Sequence, residues 1–347
     1  MRSPTPARLQ HALRHKHQAH VWVQAIEKIW DFYFELFGQR QSIYADWLVS
    51  CDRVALDAYQ VMFLGLGKVK SVPAPPPFCY MRTGFGPATY RRSIPLQRLG
   101  QQLNPFPLIQ LPYHRLVNPW TLGAVLHEVS HNLQNDLGLS RSIPRMIALR
   151  LLRAGLGARV AALWTRWNRE IYADLNALLL GGPAIVASLM DVVGRSPEMV
   201  YSFNPRGVHP TPYLRTLLNV VLLRRMGFKE EADKFEQAWR RMFPNPDAGN
   251  IPRIILKTAP RAMTLVVDAI CYQSYRELGD KSLSQIFSFG QKEQRMAEEA
   301  ARRLANGTDP GIVPERFMIA AARFAVDNRL ARSEVIKNHF FQELARR

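Results

Sequence analysis

Acidic side chains are scarce in this chain of 347 residues: 28 Asp and Glu face 46 Lys and Arg, a net charge of +18. Cysteine is scarcer. Cys51, Cys79 and Cys271 lie far apart and form no CxxC pair. That excludes a disulfide scaffold, argues against a cysteine-built metal site and favours a reducing compartment. Long apolar runs are missing too. A spanning helix needs 18 or more residues with little charge. The nearest stretch, 175–193, is interrupted by Gly181-Gly182-Pro183 and contains Asp191, so a broken pair of buried helices is expected and no transmembrane segment. The opening residues, MRSPTPARLQHALRHKHQAH, lack the apolar run of a secretory leader, and the expectation is a cytoplasmic protein. Hydrophobic residues at 47% and charged residues at 21% exclude wholesale disorder.

The chain reads as mainly α (α+β). A helical region is expected over 1–72, a central region over 73–228 and a further helical region over 229–347, alternatively one integrated domain. Two helices separated near Gly38 carry Trp22, Trp30, Phe32, Tyr33, Phe34, Phe37, Tyr44 and Trp47. Packing of these aromatics into the core is expected; a membrane-surface stripe aided by Arg8, Arg14 and Lys16 is the alternative. His11, His15, His17 and His20 read as solvated. Pro73–Pro77 opens a stretch poor in helix signals, where short strands fit Phe78–Arg82 and Leu108–Tyr113. Pro112 would confine the second strand to an edge. From Asn118 onward the signals are helical: Asn118-Pro119 and Ser142-Ile143-Pro144 as starts, Gly138, Gly155 and Gly157 as stops, and one long helix over Ala158–Leu180.

The positive charge is uneven. Ala58 to Arg169 holds fourteen basic residues, Arg91 and Arg98 among them, against only Glu128 and Asp136. Such a field draws acidic proteins, nucleic acid or anionic lipid. The plainer reading is a solvated arginine-rich surface. The arginines at 141, 145, 150, 153, 159, 166 and 169 could rim a cleft and select acidic substrates.

What stands out chemically is His127-Glu128-Val129-Ser130-His131, an HExxH motif inside an apolar helix pattern. Residues four apart share a helix face, so both imidazoles can reach one ion. Glu128 projects about 100° away, where it can touch a metal-bound water without being a ligand. Zinc lowers the pKa of that water to roughly 7 and the carboxylate can take its proton. A catalytic zinc uses three protein ligands. Glu170, in Glu170-Ile171-Tyr172-Ala173-Asp174, can supply the third, and Asp174 on the same helical face can orient a ligand histidine. His209-Pro210-Thr211-Pro212-Tyr213-Leu214-Arg215 offers groups that can stabilise an oxyanion, or simply starts a helix.

Taken together, HExxH, ExxAD and HPxxxxR resemble the gluzincin metallopeptidases of the CAAX-prenyl-endopeptidase and HtpX-like group, over about Leu108 to Gly227. The resemblance implies a zincin-like helical core with a small edge sheet before the HExxH helix. It implies Zn2+ held by His127, His131 and Glu170, Glu128 as general base, Asp174 behind a ligand histidine, and His209 and Arg215 near the reacting carbonyl. It implies an edge strand, here Leu108–Tyr113, that holds the substrate backbone. The chain departs from the group at Ser130, where glycine is common, and in lacking membrane helices. The expected partner is a protein or peptide substrate, with an acidic one open. Hydrolysis of a non-peptide bond in a small molecule is the alternative. A binding protein for nucleic acid or an anionic surface with a structural metal is a third reading; nucleic acid is not expected, and a peripheral anionic surface stays open.

Overall fold

The computed structural model describes residues 5–84, 86–96 and 102–347; Arg98 lies outside them. Helix α1 (Pro6–Gly38) starts where Thr5 Oγ1 accepts from Arg8 N, with Pro6 in the first turn, where its missing N–H costs nothing. Only its last turns find a partner. Phe32 and Leu36 pack against Tyr80, Leu96 and Leu108. Every residue from Thr5 to Gln24 is exposed, as are Ile26, Trp30 and Phe34. Core packing holds for Phe32, Tyr33 and Trp47 and is corrected for Trp22, Trp30 and Phe34: among the described residues nothing lies against most of α1. Deleting everything ahead of Lys28 is expected to leave the melting temperature within about 2 °C of the full chain's, followed by circular dichroism. A larger fall would mean that this part of α1 supports the core.

Helix α2 (Ala45–Leu66) buries a continuous stripe, Leu48, Cys51, Ala55, Ala58, Tyr59, Met62 and Leu66, at the three- and four-residue spacing of one helical face. A three-stranded sheet follows, of β1 (Phe78–Met81), β2 (Ala88–Tyr90) and β3 (Leu108–Leu111). β3 lies in the middle, parallel to β1 from Phe78↔Leu108 to Met81↔Leu111, and antiparallel to β2. This corrects the edge assignment of Leu108–Tyr113. Pro112 falls after the last ladder residue, so its lack of a donor removes no sheet bond. The outer rim of β1 is capped by side chains: Gln39 both donates to Met81 O and accepts from Met81 N at 2.7 Å, and Asp52 accepts from Cys79 N. β2, too short and too glycine-flanked to be legible in the sequence, is the strand beside the HExxH helix.

After the single turn α3 (Tyr113–Leu116) come α4 (Gly123–Asp136), α5 (Ser142–Arg153), α6 (Ala158–Arg166), α7 (Asn168–Gly181), α8 (Pro183–Val193), α9 (Pro197–Val200) and α10 (Pro212–Arg225). The expected long helix over Ala158–Leu180 is two helices, because the chain breaks step at Trp167. Asn168 Nδ2 donates to the Thr165 carbonyl at 2.7 Å, and Trp164 and Trp167 are both buried. α4 and α7 run antiparallel in contact. Gln134 Nε2 donates to Asn168 Oδ1, Asn176 Nδ2 donates to Ser130 Oγ at 2.9 Å, and Leu126 lies against Gly181. Ser130 in turn donates to Leu126 O at 2.7 Å. A serine here is thus a satisfied hydroxyl joining the two helices, where a methylated side chain would leave Asn176 unpaired. Gly182, at φ +68°, turns α7 into α8; a Cβ there would meet the Phe289 ring at 2.3 Å.

The remainder is α11 (Lys229–Met242), α12 (Arg253–Val267), α13 (Leu283–Ile286), α14 (Gln291–Ala305), α15 (Phe317–Asp327) and α16 (Ser333–Arg346). One apolar core runs from Leu48 through α4, α7 and α10 to Leu344, so the three sequence regions share it. The chain is mainly helical with this one small sheet, and among the described residues no helix is long and apolar enough to cross a membrane.

Candidate metal centre

α7 is the buried axis of the molecule: every side chain from Ile171 to Gly181 is covered. Glu170 sits in its first turn, facing the His127 and His131 side of α4. His127 Nε2 and His131 Nε2 are 3.2 Å apart, and the Glu170 carboxylate oxygens lie 3.5 Å from His127 Nε2 and 3.6 Å from His131 Nε2. These three side chains form a group that could hold a metal ion, and no other His, Cys, Asp or Glu among the described residues joins them. The donor set is therefore three protein atoms.

Behind the cluster, Asp174 Oδ1 accepts from His127 Nδ1 at 2.8 Å, which fixes the tautomer that turns Nε2 toward the cluster. Asp174 is itself gripped in a two-pronged pair by Arg215, Nε to Oδ2 at 2.5 Å and Nη2 to Oδ1 at 2.7 Å. Arg215 thus reaches the cluster from its rear and is committed to Asp174. It lines the same cavity as the two histidines, with Nη2 3.9 Å from Glu170 Oε2, and its guanidinium is turned onto Asp174 because α10 packs on α7. His209 is at the mouth. Its ring is 60% exposed, with Nε2 3.2 Å from Glu170 Oε2.

The electrostatics follow from that packing. Burial opposes charge on His127, but Asp174 and Glu170 outweigh it and lift the ring to about 10. His131 moves the other way, down to about 3, through burial and the neighbouring His127 charge. Burial alone would raise the Glu170 carboxyl; hydrogen bonds from His127 and His209 hold it well below the usual carboxylate range. Glu128, 4% exposed, has its carboxyl pushed up by burial.

All of these groups open on one cavity of about 810 Å³. β2 forms one wall with Ala88 and Thr89, and Thr89 Oγ1 donates to the Glu128 carbonyl at 3.0 Å. α8 forms another with Ile185, Ser188, Leu189, Val192 and Val193. Asn219 lines it too, with a buried Oδ1 that has no hydrogen-bond partner among the described residues. Of the seven arginines expected at its rim only Arg169 lines it; Arg150 bonds Gln273 and Arg166 bonds the Pro205 carbonyl. Sequence reasoning missed β2, Arg91 and the α8 wall. Neither a three-residue strand nor an apolar helix announces that it faces a cleft. A comparison of the chain with protein-family models, curated proteins and solved structures returns no match.

Proposed function

We propose that the chain is a zinc-dependent metallohydrolase with a zincin-like core, acting on peptide bonds. The observation that carries this is the spacing of the three donors. Two ligands about 2.0–2.2 Å from one ion at a tetrahedral angle lie about 3.3–3.6 Å apart. Here the imidazole nitrogens are 3.2 Å apart, Glu170 Oε2 is 3.5 Å from His127 Nε2 and Oε1 is 3.6 Å from His131 Nε2, and one atom from each of the three side chains can be chosen with all within 4.8 Å of one another. Two imidazoles and a carboxylate are a catalytic zinc set, and three protein donors leave the fourth position open. When bound, zinc supplies Lewis acidity and lowers the pKa of water to about 7.

The chain's own groups do the rest. Glu128 takes the proton of the attacking water and returns it to the leaving amine, a task suited to a carboxyl raised by burial. Asp174, held by Arg215, keeps His127 in its ligating orientation. His209, at the open side, donates to the oxyanion of the tetrahedral intermediate. The free side of β2 receives the substrate backbone as an added strand. A cleft walled by a strand edge favours a polypeptide over a small amide.

The test is metal content together with cleavage of unfolded protein, with and without chelator. Chelator-sensitive cleavage with about one zinc per chain is expected; a chain that binds no metal and cleaves nothing ends the reading. Glu170→Ala is expected to lower zinc occupancy several-fold after dialysis, measured by elemental analysis, because two donors replace three. Unchanged zinc would remove Glu170 from the ligand set.

A further inference from the structure

The cleft has two chemically different ends. Antiparallel packing of α4 on α7 sets their order, with Leu126 by Gly181 at one end and Gln134 by Asn168 at the other. Gly123, Ala124, Ile185, Leu189 and Val192 line the first end, which is mainly apolar apart from Ser188 beside Gly123; Arg195 also lines the cavity, just past α8. The second end holds Arg169, next to Glu170, and Arg91, just past β2. The metal cluster lies between.

Among the described residues no acidic side chain answers these two guanidiniums. The cleft's carboxylates are engaged elsewhere: Glu170 with His127 and His209, Asp174 with His127 and Arg215, and Glu128 with the chemistry proposed above. Among the described residues neither Arg91 nor Arg169 has a carboxylate partner. Burial, and then the like charge of Arg169, lower the pKa of Arg91. Two permanent cations lining one cavity repel, and an anion between them relieves that repulsion. Meanwhile a guanidinium pair offers a carboxylate several charge-assisted hydrogen bonds.

We propose that Arg91 and Arg169 form a carboxylate-binding subsite, so that the preferred substrate is a peptide with an acidic group on the His131 side of the scissile bond. This rests on the peptidase reading. From Gly123 to Gln134 α4 rises roughly 16 Å. An extended peptide advances about 3.3 Å per residue. The acidic group therefore falls within about three residues of the cleaved bond. It is an Asp or Glu side chain or the terminal carboxylate of the substrate.

The test uses binding, not turnover. Glu128→Gln protein is titrated with fluorescein-labelled peptides of matched sequence carrying Glu or Gln at the candidate positions, each with a free or an amidated C-terminus, and anisotropy is read. The Glu peptide, or the free C-terminus, is expected to bind at least about tenfold tighter, with the advantage shrinking as salt rises. The paired substitution Arg91→Gln and Arg169→Gln is expected to abolish the advantage. Arg141→Gln with Arg145→Gln, outside the cleft, is expected to keep it. An advantage for the Glu side chain assigns the subsite to an internal acidic residue; one confined to the free terminus assigns it to the chain end. Equal binding of all peptides, or an advantage that survives the paired substitution, overturns the proposal. The peptidase reading fails separately, if wild-type protein hydrolyses none of these peptides in a chelator-sensitive way.

Discussion

Glu128→Gln is expected to keep the metal and to lose turnover by about 10²–10⁴-fold, the usual worth of a positioned general base. The amide has the size of the carboxylate it replaces and sits in the same buried place on α4, so the fold has no reason to change. Glu128 is outside the donor group of His127, His131 and Glu170, so zinc content stays the same. What disappears is the acceptor for the proton of the attacking water. The measurement is kcat for chelator-sensitive peptide cleavage beside elemental analysis of the same preparation. Wild-type turnover in the variant would remove this mechanism; loss of both metal and turnover would make Glu128 a ligand.

The largest effect on stability is expected from Arg215→Met. Asp174 is 3% exposed and keeps its charge through the two-pronged pair with Arg215. Removing the guanidinium leaves a buried carboxylate with only His127 against it, at a cost of about 3–5 kcal/mol. Urea unfolding of metal-free protein reads this directly, and adding Asp174→Asn should restore a large part of it. The acid limb supplies a second reading. Burial works to raise the Asp174 carboxyl, and Arg215 overrides it and holds the carboxyl below its ordinary value. A folded-state value below the unfolded one means stability that is complete above about pH 4 and lost as pH falls through the lower folded value. Below pH 4 the wild-type chain should therefore lose stability more steeply than Arg215→Met. Equal stabilities and parallel acid limbs would show that Arg215 is dispensable to Asp174.

These two residues also mark the limits of sequence reading. Periodicity and capping signals located the helices, since each is decided within a few residues: Pro119 before the HExxH helix, Pro212 before α10, and glycines at 138, 155 and 157. Arg215 lies at the cleft with the chemistry the sequence offered, but its main partner was not legible. Its position in chain order is the same whether it faces a substrate or Asp174, and the packing of α10 on α7 decides between them. The aromatics of α1 failed for the opposite reason. Trp22, Trp30 and Phe34 have core composition, but burial needs a partner surface, and in α1 Phe32 and Leu36, with Ile29 and Tyr33 beside them, meet one.

By itself the sequence determined that His127 and His131 share a helix face, because a spacing of four is set by helix geometry alone. It determined too that Glu170 and Asp174 project from one side of another helix. Only the tertiary structure decided that those two faces meet within hydrogen-bonding range, that β2 and not β3 edges the cleft, and that Arg91 joins Arg169 there. The physical reason is range. Backbone sterics and hydrogen bonding specify neighbours within a turn, whereas contacts between residues 40 or more positions apart are set by how one continuous core closes, and no local pattern encodes that closure.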